Sequence, residues 1–173
     1  MATSRRRRSV RRNSHRTRVP TSPSIIAVRR YYEDPGTQAL HHALKAGSHD
    51  AAVEMARAMA PFVPPSAVLV PMPGRTGRGG AGLRIAQALS DLTGRPVVEA
   101  LRGRERESLY AAKKRGIDPT HIDLGFRAHG PIPRGQILII DNVVGTGHTA
   151  RSALRALPGA IVLVHAIDLT AFA

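Results

Sequence analysis

The chain has 173 residues, no cysteine and a formal net charge of +14, long enough for one globular domain with a real hydrophobic core. The lack of cysteine excludes a disulfide framework and any Cys-ligated zinc site. No apolar run is long enough for a membrane-spanning helix, and the early chain has no apolar segment of the secretory-signal type, so the expectation is a soluble, cytoplasmic protein without a membrane partner.

The charge is uneven. Ten arginines and no acidic residue fall between Met1 and Arg30, whereas the remainder carries 16 basic and 12 acidic side chains. Residues 1–24 are rich in Arg and Ser and hold too little apolar surface to offset their ordering entropy, which predicts a disordered arm. From Arg5 to Arg18 this arm has the composition that neutralises nucleic-acid phosphates. A mitochondrial presequence would need an apolar helical face, and Val10 and Val19 alone do not make one.

Residues 25–173 form the predicted domain. From Pro35 the pattern is helical, with Leu40 and Leu44 four apart and Gly47 closing the segment. Ser48 or Asp50 can cap a second helix, in which Val53, Ala56 and Ala60 share a face before Pro61 stops it; residues 31–60 thus read as a small helical cap. Ala67-Val68-Leu69-Val70 is a short apolar run of the kind that forms a buried parallel strand. After a Gly-rich stretch, Ile85, Leu89 and Leu92 mark a helix ending at Gly94, and Val97-Val98 reads as a short strand. Residues 101–135 are polar and rich in Gly and Pro, and predict a mobile loop. Ile137–Ile140 is the strongest strand; a helix over about Thr149–Leu157 and a strand over Ala160–Ile167 follow. Alternating strands and helices predict an α/β fold with a mostly parallel sheet and flanking helices.

Ligands of parallel sheets bind at the carboxyl ends of the strands, and here Ile137–Ile140 runs into Asp141-Asn142-Val143-Val144-Gly145-Thr146-Gly147-His148-Thr149. Asp141 and Asn142 can accept hydrogen bonds from vicinal hydroxyls such as those of a ribose. The Gly145–Thr149 turn opens a helix, whose free N–H groups and positive dipole end suit a phosphate dianion. A polar pair for a sugar with an anion cradle just beyond it describes a ribose 5-phosphate site.

This run resembles the signature of type I phosphoribosyltransferases for 5-phosphoribosyl 1-pyrophosphate (PRPP). The resemblance covers about Tyr31 to Asp168 and implies that fold, with PRPP as donor, a nitrogenous base as acceptor and pyrophosphate as leaving group. It implies that Asp141 and Asn142 are catalytic and hold the ribose hydroxyls, while Val144, Gly145, Thr146, Gly147, His148 and Thr149 wrap the 5′-phosphate. Asn142 departs from the family, which usually has a second acid there. Gly74, Arg75 and Arg78, in the basic loop after the Val68–Val70 strand, correspond to the pyrophosphate loop. Arg106, Lys113, Lys114 and Arg115 are the basic residues of the segment matching the family's mobile catalytic loop. Magnesium is implied as cofactor, held mainly by substrate oxygens, and a homodimer is common in the family. The order of elements resembles the ComF-like branch, associated with DNA uptake, here without its amino-terminal zinc ribbon.

Other readings compete. A non-catalytic PRPP- or nucleotide-sensing module, associated with nucleic acid through the arm, would suit Asn142. Gly145-x-Gly147-x-x-Ala150 with Asp168 fits a dinucleotide fingerprint, although only Leu169–Ala173 follow Asp168 and the rest of such a domain is not in evidence. Gly77 and Gly82 have Walker A spacing, but Leu83-Arg84 stand where Lys-Ser/Thr are required. His41, His42 and His49 share no ligand spacing and read as exposed helix positions. Nothing in the sequence selects the acceptor base.

Overall fold

A computed structural model describes residues 19–172, with the backbone alone at 19–22. The Arg5–Arg18 arm lies outside the described residues. Seven strands and five α-helices follow in order: β1 (Val19–Ser22), β2 (Ile25–Arg30), α1 (Thr37–Lys45), α2 (His49–Met59), β3 (Ala67–Pro71), α3 (Ala81–Thr93), β4 (Leu101–Arg102), α4 (Leu109–Lys114), β5 (Arg127–Ala128), β6 (Gln136–Val144), α5 (His148–Ala156) and β7 (Ile161–Ile167).

The main sheet has the order β1-β2-β7-β6-β3. The three pairings among β2, β7, β6 and β3 are parallel, with Leu69 opposite Leu138 and Ile140 opposite Leu163; β1 adds an antiparallel edge. Val97 contributes only a single bridge to Leu69 at the other edge. Helices cover both faces, and side-chain alternation along each strand divides the core between them. On one face Leu69, Leu138, Ile140 and Leu163 pack against α2 and α3. On the other, Val70, Ile137, Ile139, Val162 and Val164 pack beneath α5 and the Ala100–Leu101 segment. A fully buried Leu or Ile in such a place contributes roughly 1.5–3 kcal/mol.

Several local expectations take their predicted form. Ser48 caps α2 by accepting a hydrogen bond from the Ala51 N–H at 3.2 Å. Gly94 ends α3 in the left-handed region. Other expectations are corrected. The arm does not extend to residue 24, because Val19–Ser22 pairs with β2. Backbone pairing orders this segment, and Pro20 is tolerated because an edge strand leaves some N–H positions unused. Residues 31–60 are not a separate cap: α1 and α2 join α3 in one layer against the sheet. The buried face of α2 is Ala51, Ala52, Met55, Ala56 and Met59 rather than Val53 and Ala60, and Leu92 is exposed.

The largest correction concerns residues 101–135. β4 and β5 pair antiparallel within this span, and α4 is capped by Ser108, which accepts from the Ala111 N–H at 3.1 Å. Leu101, Ala112 and Leu124 are buried. Three apolar anchors spaced along a polar segment hold it against the protein although no long hydrophobic run marks it.

Candidate functional site

The carboxyl ends of β3, β6, β7 and β2 lie side by side, and each runs into a segment with distinct chemistry. β6 extends to Val144, so Asp141 and Asn142 belong to the strand rather than to a loop after it. Because strand side chains alternate, these two residues serve opposite faces.

Asn142 is buried, and its amide Nδ2 lies 3.2 Å from Nδ1 of His41 on α1. His41 Nε2 is in turn 3.1 Å from Nδ1 of His165 on β7. The amide as placed donates to His41, leaving His41 Nε2–H to donate to His165. Burial holds both imidazoles neutral, with His41 lowered to about 3 and His165 to about 4. Protonation of His165 would further disfavour that of His41, and the positive charge of Lys45 near His41 and of Arg29 near His165 acts in the same direction, against an opposing Asp34 at His165. Thus Asn142 does not reach for a ribose. A polar side chain on the helix-covered face must satisfy its donors there, and His41 is its partner. His42 and His49 are exposed as expected, whereas His41 is not.

Asp141 faces the other way, where its carboxyl senses the Arg106 guanidinium. Desolvation raises its pKa to about 7; the Asn142 N–H, 2.8 Å from Oδ1, and Arg106 both oppose the rise. Burial lowers the pKa of Arg106, and Asp141 counteracts this. The Nε of Arg106 is buried without a hydrogen-bond partner among the described residues. A buried acid with a raised pKa beside a cation marks a candidate functional site.

Beyond Val144 the chain turns sharply into α5. Gly147 takes φ 79° as the cap of that helix, a conformation that side chains bearing a Cβ disfavour. The N–H groups of Gly145, Thr146, Gly147 and Thr149 have no acceptor among the described residues; that of His148 is 3.4 Å from Thr146 Oγ1. Four open donors at a helix start, backed by its dipole, form an anion nest. Arg151 braces the turn by donating to the Thr146 carbonyl at 2.8 Å. His148 is not a free phosphate donor. Its Nε2 donates to the Ile122 carbonyl at 2.8 Å and ties the 101–135 segment to the nest.

The loop after β3 is stitched to the same segment. The Gly103 N–H donates to the Gly77 carbonyl at 2.9 Å, and the Arg106 N–H to the Arg75 carbonyl at 2.8 Å. Gly77, at φ 75°, lies so close that a Cβ there would stand 2.3 Å from the Gly103 carbonyl oxygen. Arg75 and Arg78 are exposed, and their side chains have no hydrogen bond or ion pair among the described residues. Lys113 lines the pocket beside the nest. Lys114 instead stacks over Tyr110, 5.0 Å from the ring centroid, and Arg115 pairs with Glu107.

The nest opens on a cavity of about 330 Å³ between the β6–α5 turn and α4. Tyr31, Val143, Lys113 and Asp168 are among its walls, whereas Asp141 stands outside that lining, toward Arg106. Asp168 therefore shares a pocket with Gly145 and Gly147, but its Oδ1 already accepts from Thr170 N and Oγ1 at 3.0 and 2.6 Å. Sequence reasoning missed Tyr31 as a pocket residue and His41–His165 as Asn142's partners. The continuous apolar Ile25-Ile26-Ala27-Val28 run is the signal that could have placed β2, and hence Tyr31, at this edge.

No family model matches the chain, and no curated protein matches it.

Proposed function

We propose that the chain is a phosphoribosyltransferase that uses PRPP as ribose 5-phosphate donor to a nitrogenous base. The observation that carries this reading is the anion nest of open N–H groups at Gly145–Thr149, placed directly after the strand that presents Asp141. The 5′-phosphate occupies the nest and the ribose hydroxyls meet Asp141. Arg75 and Arg78, unengaged on the neighbouring strand's loop, meet the pyrophosphate through charge-assisted bonds, and Arg106 lies between that loop and Asp141. In the reaction a ring nitrogen forms a bond to C1 as the C1–O bond breaks. Pyrophosphate leaves with the electron pair, and the base releases its proton.

Orientation and electrostatics supply the catalysis. With its pKa near neutrality, Asp141 can hold a ribose hydroxyl in either protonation state, and it favours the ionised form as positive charge develops on the ribose. Among the described residues no cluster of three or more His, Asp or Glu is placed to hold a metal. Magnesium, the cofactor that the resemblance implies, would be carried mainly by the substrate's oxygens and would offset charge on the leaving group. The order of elements, with Tyr31-Tyr32 ahead of the helices and Arg78-Gly79 after β3, supports the ComF-like branch as the form of this reading.

A second reading draws on Asn142. Its amide is committed to His41, so one of the two expected ribose ligands is withdrawn, as suits a module that binds PRPP without turning it over. Calorimetric titration of PRPP with Mg²⁺ into the folded protein tests both. Binding that falls at least tenfold in Asp141→Ala supports the site, and release of pyrophosphate with any of a panel of bases separates enzyme from sensor. A folded protein that does not bind PRPP sinks both readings.

A further inference from the structure

The pocket has a second end that the phosphate does not use. Tyr31 follows β2 directly and its N–H donates to the Ile167 carbonyl at 2.8 Å; the Asp168 N–H donates to the Val144 carbonyl at 2.9 Å. These two bonds carry the strand alignment past the sheet's edge, so the nest, Asp168 and Tyr31 stand in a row at the ends of β6, β7 and β2. With strands about 4.8 Å apart, the row places Tyr31 roughly 10 Å from the nest. That is the scale of the reach from a 5′-phosphate to the ring of its own nucleoside.

Both side chains are fixed. The Tyr31 ring packs edge-on against His41 at 5.1 Å and Tyr32 at 4.9 Å, and His41 is itself held by Asn142 and His165. The Asp168 carboxyl is anchored through Oδ1 by Thr170, while Oδ2 has no hydrogen bond among the described residues. Both line the cavity, with Val143 and Ala171 as apolar wall between the polar groups. An aromatic face, an apolar wall and one open carboxylate oxygen favour a flat ring that offers N–H groups. A ring carrying its own carboxylate would set two like charges together in a partly desolvated pocket, a costly arrangement.

We propose that Tyr31 and Asp168 form the ring subsite of this pocket and select a neutral, amino- or imino-bearing nitrogenous base over a ring carboxylate. The inference rests on the phosphoribosyltransferase reading only for where the 5′-phosphate lies. Lys113 is the competing attraction for a ring carboxylate, since it lines the same pocket, and ligand comparison measures which group prevails.

The test is calorimetric titration of the full chain with adenosine 5′-monophosphate, orotidine 5′-monophosphate and ribose 5-phosphate. Adenosine 5′-monophosphate is expected to bind about tenfold more tightly than ribose 5-phosphate, the increment of one base stacked on an aromatic side chain. Orotidine 5′-monophosphate is expected to bind no better than ribose 5-phosphate. Asp168→Asn should relieve the discrimination against orotidine 5′-monophosphate. Tyr31→Leu should erase the adenine increment while ribose 5-phosphate still binds, which also shows that this variant is folded. Equal affinities for all three ligands, or tighter binding of orotidine 5′-monophosphate, overturn the proposal. PRPP binding without ring discrimination would refute this inference alone; discrimination without PRPP binding would refute the transferase reading alone.

Discussion

Asp141→Asn should make the protein more stable, and increasingly so as pH rises. In the folded chain the Asp141 carboxyl titrates near 7, against an ordinary value of 3.8. Between those values the folded chain holds a proton that the unfolded chain has released, so the contribution of Asp141 to wild-type stability falls as pH rises across the window and is level above it. At about 1.4 kcal/mol per pH unit, the full penalty reaches about 4 kcal/mol above pH 7. The neutral amide carries no such penalty. The advantage of the variant should therefore grow by about 2 kcal/mol between pH 5 and pH 7 and then level off. Urea unfolding of both proteins at intervals from pH 5 to 8.5 measures it, and because His41 and His165 are present in both, their titration cancels from the difference. A stability difference that stays constant over this range, or that favours wild type as pH rises, would refute the claim that desolvation governs Asp141. Arg106→Gln removes the cation that opposes the rise and should carry the titration to still higher pH.

Asn142→Asp should leave PRPP affinity within about twofold of wild type, because the side chain faces His41 rather than the pocket; instead it should raise the His41 titration, read from imidazole NMR shifts, and a clear gain in PRPP affinity would contradict the assignment. The neutral histidine pair makes wild-type stability rise with pH between the folded values of about 3 and 4 and the ordinary 6.5, since the unfolded chain binds the extra protons there. His41→Gln, whose amide can still bond both neighbours, should flatten that slope in acid denaturation curves, and an unchanged slope would count against it. Gly77→Ala combines a left-handed backbone cost of roughly 1–2 kcal/mol with loss of the Gly103 hydrogen bond at about 1 kcal/mol. Urea unfolding should report a loss of about 2–3 kcal/mol, and faster amide exchange at Gly103 should show that the loss is local to the stitched loops.

Three of the four parallel strands, β3, β6 and β7, were legible because their runs are apolar on both sides, as burial beneath two helical layers requires, and the β6–α5 turn because Gly-Thr-Gly at a strand end has few other uses; β2 was not. What escaped the sequence depends on partners distant along the chain. His41 and His165 are 124 residues apart, and nothing local marks either as buried. Asp141 and Asn142 read as one polar pair, but strand alternation separates them, and only the extent of β6 past Ile140 makes that decisive. The 101–135 segment escaped for a different reason: single buried residues such as Ala112 and Leu124 leave no periodic trace among charged neighbours.

The antiparallel edge strand fixes where the basic arm is tethered. Val19 pairs with Ala27 and Ser22 with Ile25, so β1 begins opposite the middle of β2 and runs away from the end that carries Tyr31. The first 18 residues carry eight arginines and join the fold at Val19, on the β2 side of the sheet rather than the β3 side. A basic segment attached at that edge raises the positive potential around the domain, so encounter with anionic ligands would slow as added salt screens the charge.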